Sequence, residues 1–217
     1  MTLRTLATRY PALTFTGLCY LLTWAIWIPA VRLFLAQPEP AVTVPLLVLA
    51  LVGSYGPTYA AFILTGLTRG RPGVVQLLRR YLKGRVGIGW IVLAFLAGAI
   101  VFGLAQLLGL ATGQTLGEPA WERLTLAAFL ARLLFALPFG PLAEEAGWRG
   151  YLLPVLQRRH SALMSSLVIG VIWTFWHFPM FWVPGAALPP QVAPDVGAIG
   201  LYLLGVCATS IIASCSR

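Results

Sequence analysis

Residues 138–162 read "PFGPLAEEAGWRGYLLPVLQRRHSA", and the architecture of the chain turns on where this stretch breaks and where it runs as helix. Pro138, Gly140 and Pro141 interrupt any helix arriving from upstream, because proline removes a backbone donor and glycine lowers helix stability. A new helix is predicted from about Leu142 to Leu156, with Glu144 and Glu145 near its start, where unsatisfied backbone N–H groups favour negative charge. At i,i+4 spacing Glu145 reaches Arg149, whereas Glu144 points about 100° away around the helix. Neighbouring carboxylates are therefore assigned different surroundings. Arg158-Arg159-His160-Ser161 then forms the bend of a helical hairpin whose second arm begins at Ala162.

The charge in this stretch is conspicuous against the rest of the chain. The 217 residues are 59% hydrophobic and only 10% charged, a balance that excludes an ordinary soluble domain and indicates an integral membrane protein. A removable signal peptide does not explain the first apolar segment, Pro11 to Phe34, since it is too long for one and further apolar segments follow. The fold expected is an all-α, polytopic transmembrane helix bundle with about six spans, at roughly 11–34, 41–67, 87–111, 124–157, 161–182 and 196–214. It forms a single membrane domain over 1–217, with no internal repeat. The net charge of +9 comes from 15 Lys and Arg residues gathered in short connectors, which is a topology signal. Basic connectors alternate with non-basic ones, placing the N terminus and both basic turns in the cytoplasm of a multi-pass cell-membrane protein. Cys19, Cys207 and Cys215 lie in or beside apolar segments and read as small buried hydrophobes.

Within the 69–86 connector, "RPGVVQLLRRYLKGR" places apolar residues among cationic ones. The pattern predicts a short interfacial helix beneath an anionic leaflet, with anionic lipid as its partner and no nucleic acid. Gly56-Pro57, inside the second span, is expected to bend or loosen that helix.

His177 stands in "VIWTFWHFPMFW", residues 171–182, the most aromatic segment of the chain. Positions 144 and 177 are nearly equidistant from the hairpin bend, each roughly 20–26 Å from it if both arms are continuous helix. The register therefore sets Glu144 and His177 at similar depth, although a histidine here is also explained by a hydrogen bond across helices. Trp173, one turn before His177, shields or orients the imidazole, or is an ordinary core or lipid-facing aromatic. His160, flanked by arginines at the membrane surface, is left out of the site.

A buried carboxylate demands a partner or a polar cavity, and a Glu facing a His in a membrane can activate water for attack on a carbonyl. Zinc catalysis takes three protein ligands, and the chain has two histidines and no HExxH. GxSxG is absent as well. Two other classes stay open at this point: a small proton- or cation-coupled transporter using Glu144 and Glu145, and a non-catalytic membrane binding or immunity protein. Concentration of the polar inventory in one hairpin favours a single site over a transport path.

"EEAGWRG" fits the EExxxR motif of the CPBP intramembrane proteases, the CAAX-processing family also called Rce1-like or ABI, and "WTFWH" resembles its second motif, an aromatic residue four positions before a histidine. "GYLLPVLQRR", "HFPMF" and the Gly-Pro of the second span agree, so the resemblance covers about 45–217. It implies an intramembrane endopeptidase, a hydrolase cutting membrane-associated proteins or peptides, with Glu144 and His177 catalytic and Glu145, Arg149 and Trp173 supporting. The historical family label is metalloprotease. Zinc enters only by that association, with Glu144 and His177 as its ligands if a metal is used; metal-independent water activation is the preferred reading. Family members carry a second essential histidine in a further span, and no histidine follows His177 here. The protease-like region is accordingly expected to be C-terminally incomplete, and peptidase activity of residues 1–217 alone to be weak or absent.

Overall fold

The computed structural model describes residues 2–39, 41–81, 134, 138, 140–189 and 191–215, and among these all regular structure is helical. The chain divides into two compact units. One joins Met1–Leu82 to Leu137–Arg217; the other, Lys83–Ala136, falls outside the described residues apart from Leu134.

Helix α1 (Leu3–Arg9) starts at Thr2, whose hydroxyl accepts from the Thr5 amide, and α2 (Pro11–Leu35) follows with proline in its first turn, where the missing N–H costs nothing. The buried positions of α2 recur about every fourth residue, at Phe15, Cys19, Thr23, Trp27 and Val31, so one face packs inward. The opposite face shows apolar side chains such as Leu13, 74% exposed, as expected of a surface that meets lipid. Helix α3 (Val44–Ser54) stops at Tyr55, and α4 (Gly56–Tyr81) begins on Gly56-Pro57, so the expected loosening is a full break between two helices. α4 is itself kinked at Gly70, whose φ of 62° lies in the left-handed region that glycine enters without penalty. Its distal part, 71–81, is the short basic helix anticipated in the 69–86 connector.

The decisive stretch restarts at α5 (Pro141–Gly147), passes through a π-helical turn (Trp148–Leu152) and ends in α6 (Leu153–Leu156). The hairpin's second arm is α7 (Ala162–Trp176), opened by the Ser161 hydroxyl accepting from the Met164 amide and followed by a 3-10 turn (Phe178–Trp182). α8 (Val196–Cys215) packs on α7, with Gly170 so close to Cys207 that an added Cβ would lie 2.6 Å from its sulfur. Small residues at such a crossing let the backbones approach.

The expectation of about six spans is corrected. Among the described residues three helical segments are long and apolar enough to cross a membrane, Pro11–Leu35, Val44–Arg80 and Val196–Ser214. The hairpin arms fall short for identifiable reasons. The break before Pro141 limits the described first arm to 141–156, and α7 ends at Trp176 after 15 residues. At 1.5 Å per residue, about 15 residues of helix reach only ~23 Å, less than the ~30 Å hydrocarbon core. The span expected at 87–111 lies outside the described residues. The described helices form a multi-pass membrane bundle, with α2, α4, α5 and the π-helical turn packed about one core.

Candidate active site

The site is assembled where α5, α7 and α2 meet. Thr58 of α4 donates its hydroxyl to the Ala143 carbonyl at 2.7 Å, anchoring the first turn of α5. Four residues on, Gly147 lies against Pro57, where a Cβ would stand 2.6 Å from the proline carbonyl oxygen. That approach requires a residue without a side chain. The two contacts fix the roll of α5 and so the direction of its carboxylates.

Glu144 is 6% exposed. Its Oε2 accepts two indole N–H bonds, from Trp148 at 3.0 Å and from Trp173 at 2.6 Å. Charge-assisted bonds of this kind offset part of the desolvation of the carboxylate. Glu145, one residue later, faces a more open environment at 37% exposure and pairs with Arg149 at 3.1 Å. Arg149 is buried, its guanidinium stacked over the Trp173 ring at 4.8 Å. Trp173 thus binds one acid through its N–H edge and holds the counter-ion of the other against its face.

His177 caps the C terminus of α7. Its Nδ1 lies 2.9 Å from the Trp173 carbonyl. A carbonyl can only accept, so Nδ1 carries the proton and Nε2 holds the free lone pair of the neutral ring. The imidazole is walled by Trp176 at 4.6 Å, Tyr202 of α8 at 5.6 Å, and Trp27 and Trp173 at 6.1 and 6.2 Å between ring centroids. Glu144 and His177 are connected through Trp173, which receives one contact through its indole and the other through its backbone.

Sequence reasoning did not single out Trp148, although it stands at i+4 from Glu144 just as Arg149 does from Glu145. The same spacing rule finds both. Nor did it find the lattice from α2 that steadies the end of α7: Tyr20 donates to the Ile172 carbonyl at 2.6 Å, Trp24 to the Trp176 carbonyl at 3.0 Å, and Trp176 donates to Thr23 at 2.7 Å. These pairs are about 150 residues apart in sequence, and no local pattern signals them.

Among the described residues no group of three or more His, Cys, Asp and Glu side chains converges as a metal site would. Glu144 and His177 are two candidate ligands, fewer than the three of a catalytic zinc set, and no third joins them among the described residues.

Comparison with known proteins bears on the same hairpin. Residues 125–214 match the family model described as type II CAAX prenyl endopeptidase Rce1-like, a family-level match to the CPBP/Rce1-like CAAX proteases. A protein named CAAX prenyl protease 2, from Methanococcus maripaludis, is 43% identical over 51 residues, covering 24% of this chain and 19% of that relative's length. No solved structure matches.

Proposed function

We propose that the protein is an intramembrane endopeptidase that hydrolyses peptide bonds of membrane-associated proteins or peptides with water activated by Glu144. The protease-like region is taken to extend from about residue 45 to 217 within one membrane domain, and the family match over 125–214 supports its latter part. The observation that carries the reading is the double engagement of Trp173, which takes Glu144 at 2.6 Å through its indole and His177 at 2.9 Å through its carbonyl. One residue thereby sets the positions of a base and an imidazole in an aromatic, desolvated setting.

Both indole donors fall on Oε2 of Glu144, leaving Oε1 to accept a proton. In the proposed step a water hydrogen-bonded to Oε1 attacks the scissile carbonyl carbon as its proton passes to the carboxylate. His177 positions that water. With Nδ1–H committed to a backbone carbonyl, Nε2 accepts a hydrogen bond from the second water proton. Glu144 then returns its proton to the departing amine nitrogen as the C–N bond breaks. Glu145, Arg149 and Trp173 hold the helix and indole in place and take no part in proton transfer.

The test is hydrolysis of a transmembrane peptide by the purified full chain beside Glu144→Ala and His177→Ala. Loss of turnover in both variants, with folding retained, supports the assignment. Equal turnover in all three would falsify it.

A further inference from the structure

A second built feature lies at the other end of the hairpin. The distal part of α4, 71–81, and the segment from Gly150 to Val155 line a narrow cleft of about 30 Å³ that opens to solvent at a mouth carrying Arg69, Gln76 and Arg80, with Thr65 and Tyr151 in its walls. Two glycines let its walls approach. A Cβ at Gly150 would lie 2.8 Å from Leu77, and one at Gly73 would collide with the Arg69 side chain. The Tyr151 ring is buried and stacked on Phe15 at 5.2 Å, while its hydroxyl lies in the field of Arg69 and Arg158.

The charge around this cleft is one-sided. Arg69, Arg80 and Arg158 have no salt-bridge partner among the described residues, where Glu145 is taken by Arg149 and Glu144 by two indoles. Like charges gathered around one hydroxyl repel unless an anion joins them. The flanking surface narrows the identity of that anion. Val75 and Leu78, on the same short helix, are 38% and 42% exposed, so the site offers cations beside apolar surface at the foot of a membrane-crossing helix. A free inorganic anion uses only the first of these. An amphiphile uses both.

We infer that the mouth of this cleft is a binding site for the phosphate of an anionic phospholipid headgroup, held by Arg69, Arg80 and the Tyr151 hydroxyl, with the acyl chains lying along Val75 and Leu78. Arginine suits a phosphate through its planar fork of donors, and the phenol adds a directional hydrogen bond. Tyr151 belongs to the π-helical turn that also carries Trp148 and Arg149, so an occupied cleft buttresses the turn from which Glu144 receives one of its indole bonds.

The inference is independent of the catalytic reading and is tested without it. The purified full chain, in dodecyl maltoside micelles, is titrated with a fluorescent short-chain phosphatidylglycerol, with the phosphatidylcholine analogue and inorganic phosphate as parallel arms. Arg69→Gln and Arg80→Gln are each expected to weaken phosphatidylglycerol binding about fivefold. Tyr151→Phe, which changes no charge, should weaken it about tenfold. Arg32→Gln removes the same charge near the opposite end of α2 and should leave binding unchanged. Equal losses in Arg32→Gln and Arg69→Gln, or Tyr151→Phe binding like the parent chain, would reduce the effect to surface charge and overturn the site. Displacement of the lipid by millimolar inorganic phosphate with no preference for phosphatidylglycerol over phosphatidylcholine would make free phosphate the ligand and overturn the lipid assignment.

Discussion

The two ends of the α5–α7 hairpin handle charge in opposite ways. At the inner end a carboxylate is enclosed by rigid aromatic donors, Trp148 and Trp173, with the histidine ring boxed by Trp27, Trp176 and Tyr202. At the outer end Arg69, Arg80 and Arg158 stand exposed on long flexible side chains, with no carboxylate paired to them among the described residues. Indoles lose little conformational freedom when they bind, so the inner end can define a position to within a hydrogen bond. Arginines at the outer end offer charge and leave the geometry to the ligand. On the two proposals, one end orients a reaction and the other holds an anionic headgroup, with the π-helical turn Trp148–Leu152 between them.

Substitutions divide along the same line. The largest effect belongs to Glu144→Gln, which keeps an oxygen for the indoles and removes the base. Whatever turnover the parent chain shows on a transmembrane peptide should fall to background, read as initial rate. Tyr151→Phe at the outer end should leave that rate within about twofold, and a loss comparable to Glu144→Gln would erase the contrast between the two ends. Trp173→Phe keeps most of the ring but deletes the 2.6 Å bond to Glu144. A rate about 30-fold lower, with helical circular dichroism unchanged, is expected from the loss of one hydrogen bond to a charged group. Gly147→Ala places a methyl against the Pro57 backbone and should destabilise the fold by about 2 kcal/mol, measured by thermal unfolding in detergent. Zinc chelation is the smallest effect, with turnover unchanged on the proposed metal-independent mechanism, since Glu144 and His177 are one ligand short of a catalytic zinc set among the described residues.

Much of the inner site was legible in local spacing. Pro138, Gly140 and Pro141 announce the restart at Pro141, and i,i+4 spacing pairs Glu145 with Arg149. Equal distances from the Arg158-Arg159 bend bring 144 level with the end of α7, where the contact falls on Trp173, one turn short of His177. The number of spans was not legible. Hydropathy counts apolar residues and does not see that α7 is capped at His177 after 15 residues or that the first arm restarts at Pro141. The π-helical turn left no mark either, since WRGYL differs from an α-helix only in which carbonyl each amide selects. The contacts of Tyr20, Trp24 and Thr23 with α7 depend on how distant helices pack.

The central claim is that adjacent carboxylates do different work, and one assay decides it: hydrolysis of the same transmembrane peptide by the parent chain, Glu144→Gln and Glu145→Gln under identical conditions. The account predicts that Glu144→Gln is silent while Glu145→Gln, which loosens an ion pair at the site's edge, keeps at least about a tenth of the parent rate. Turnover by Glu144→Gln equal to that of the parent, or greater loss in Glu145→Gln than in Glu144→Gln, would contradict it.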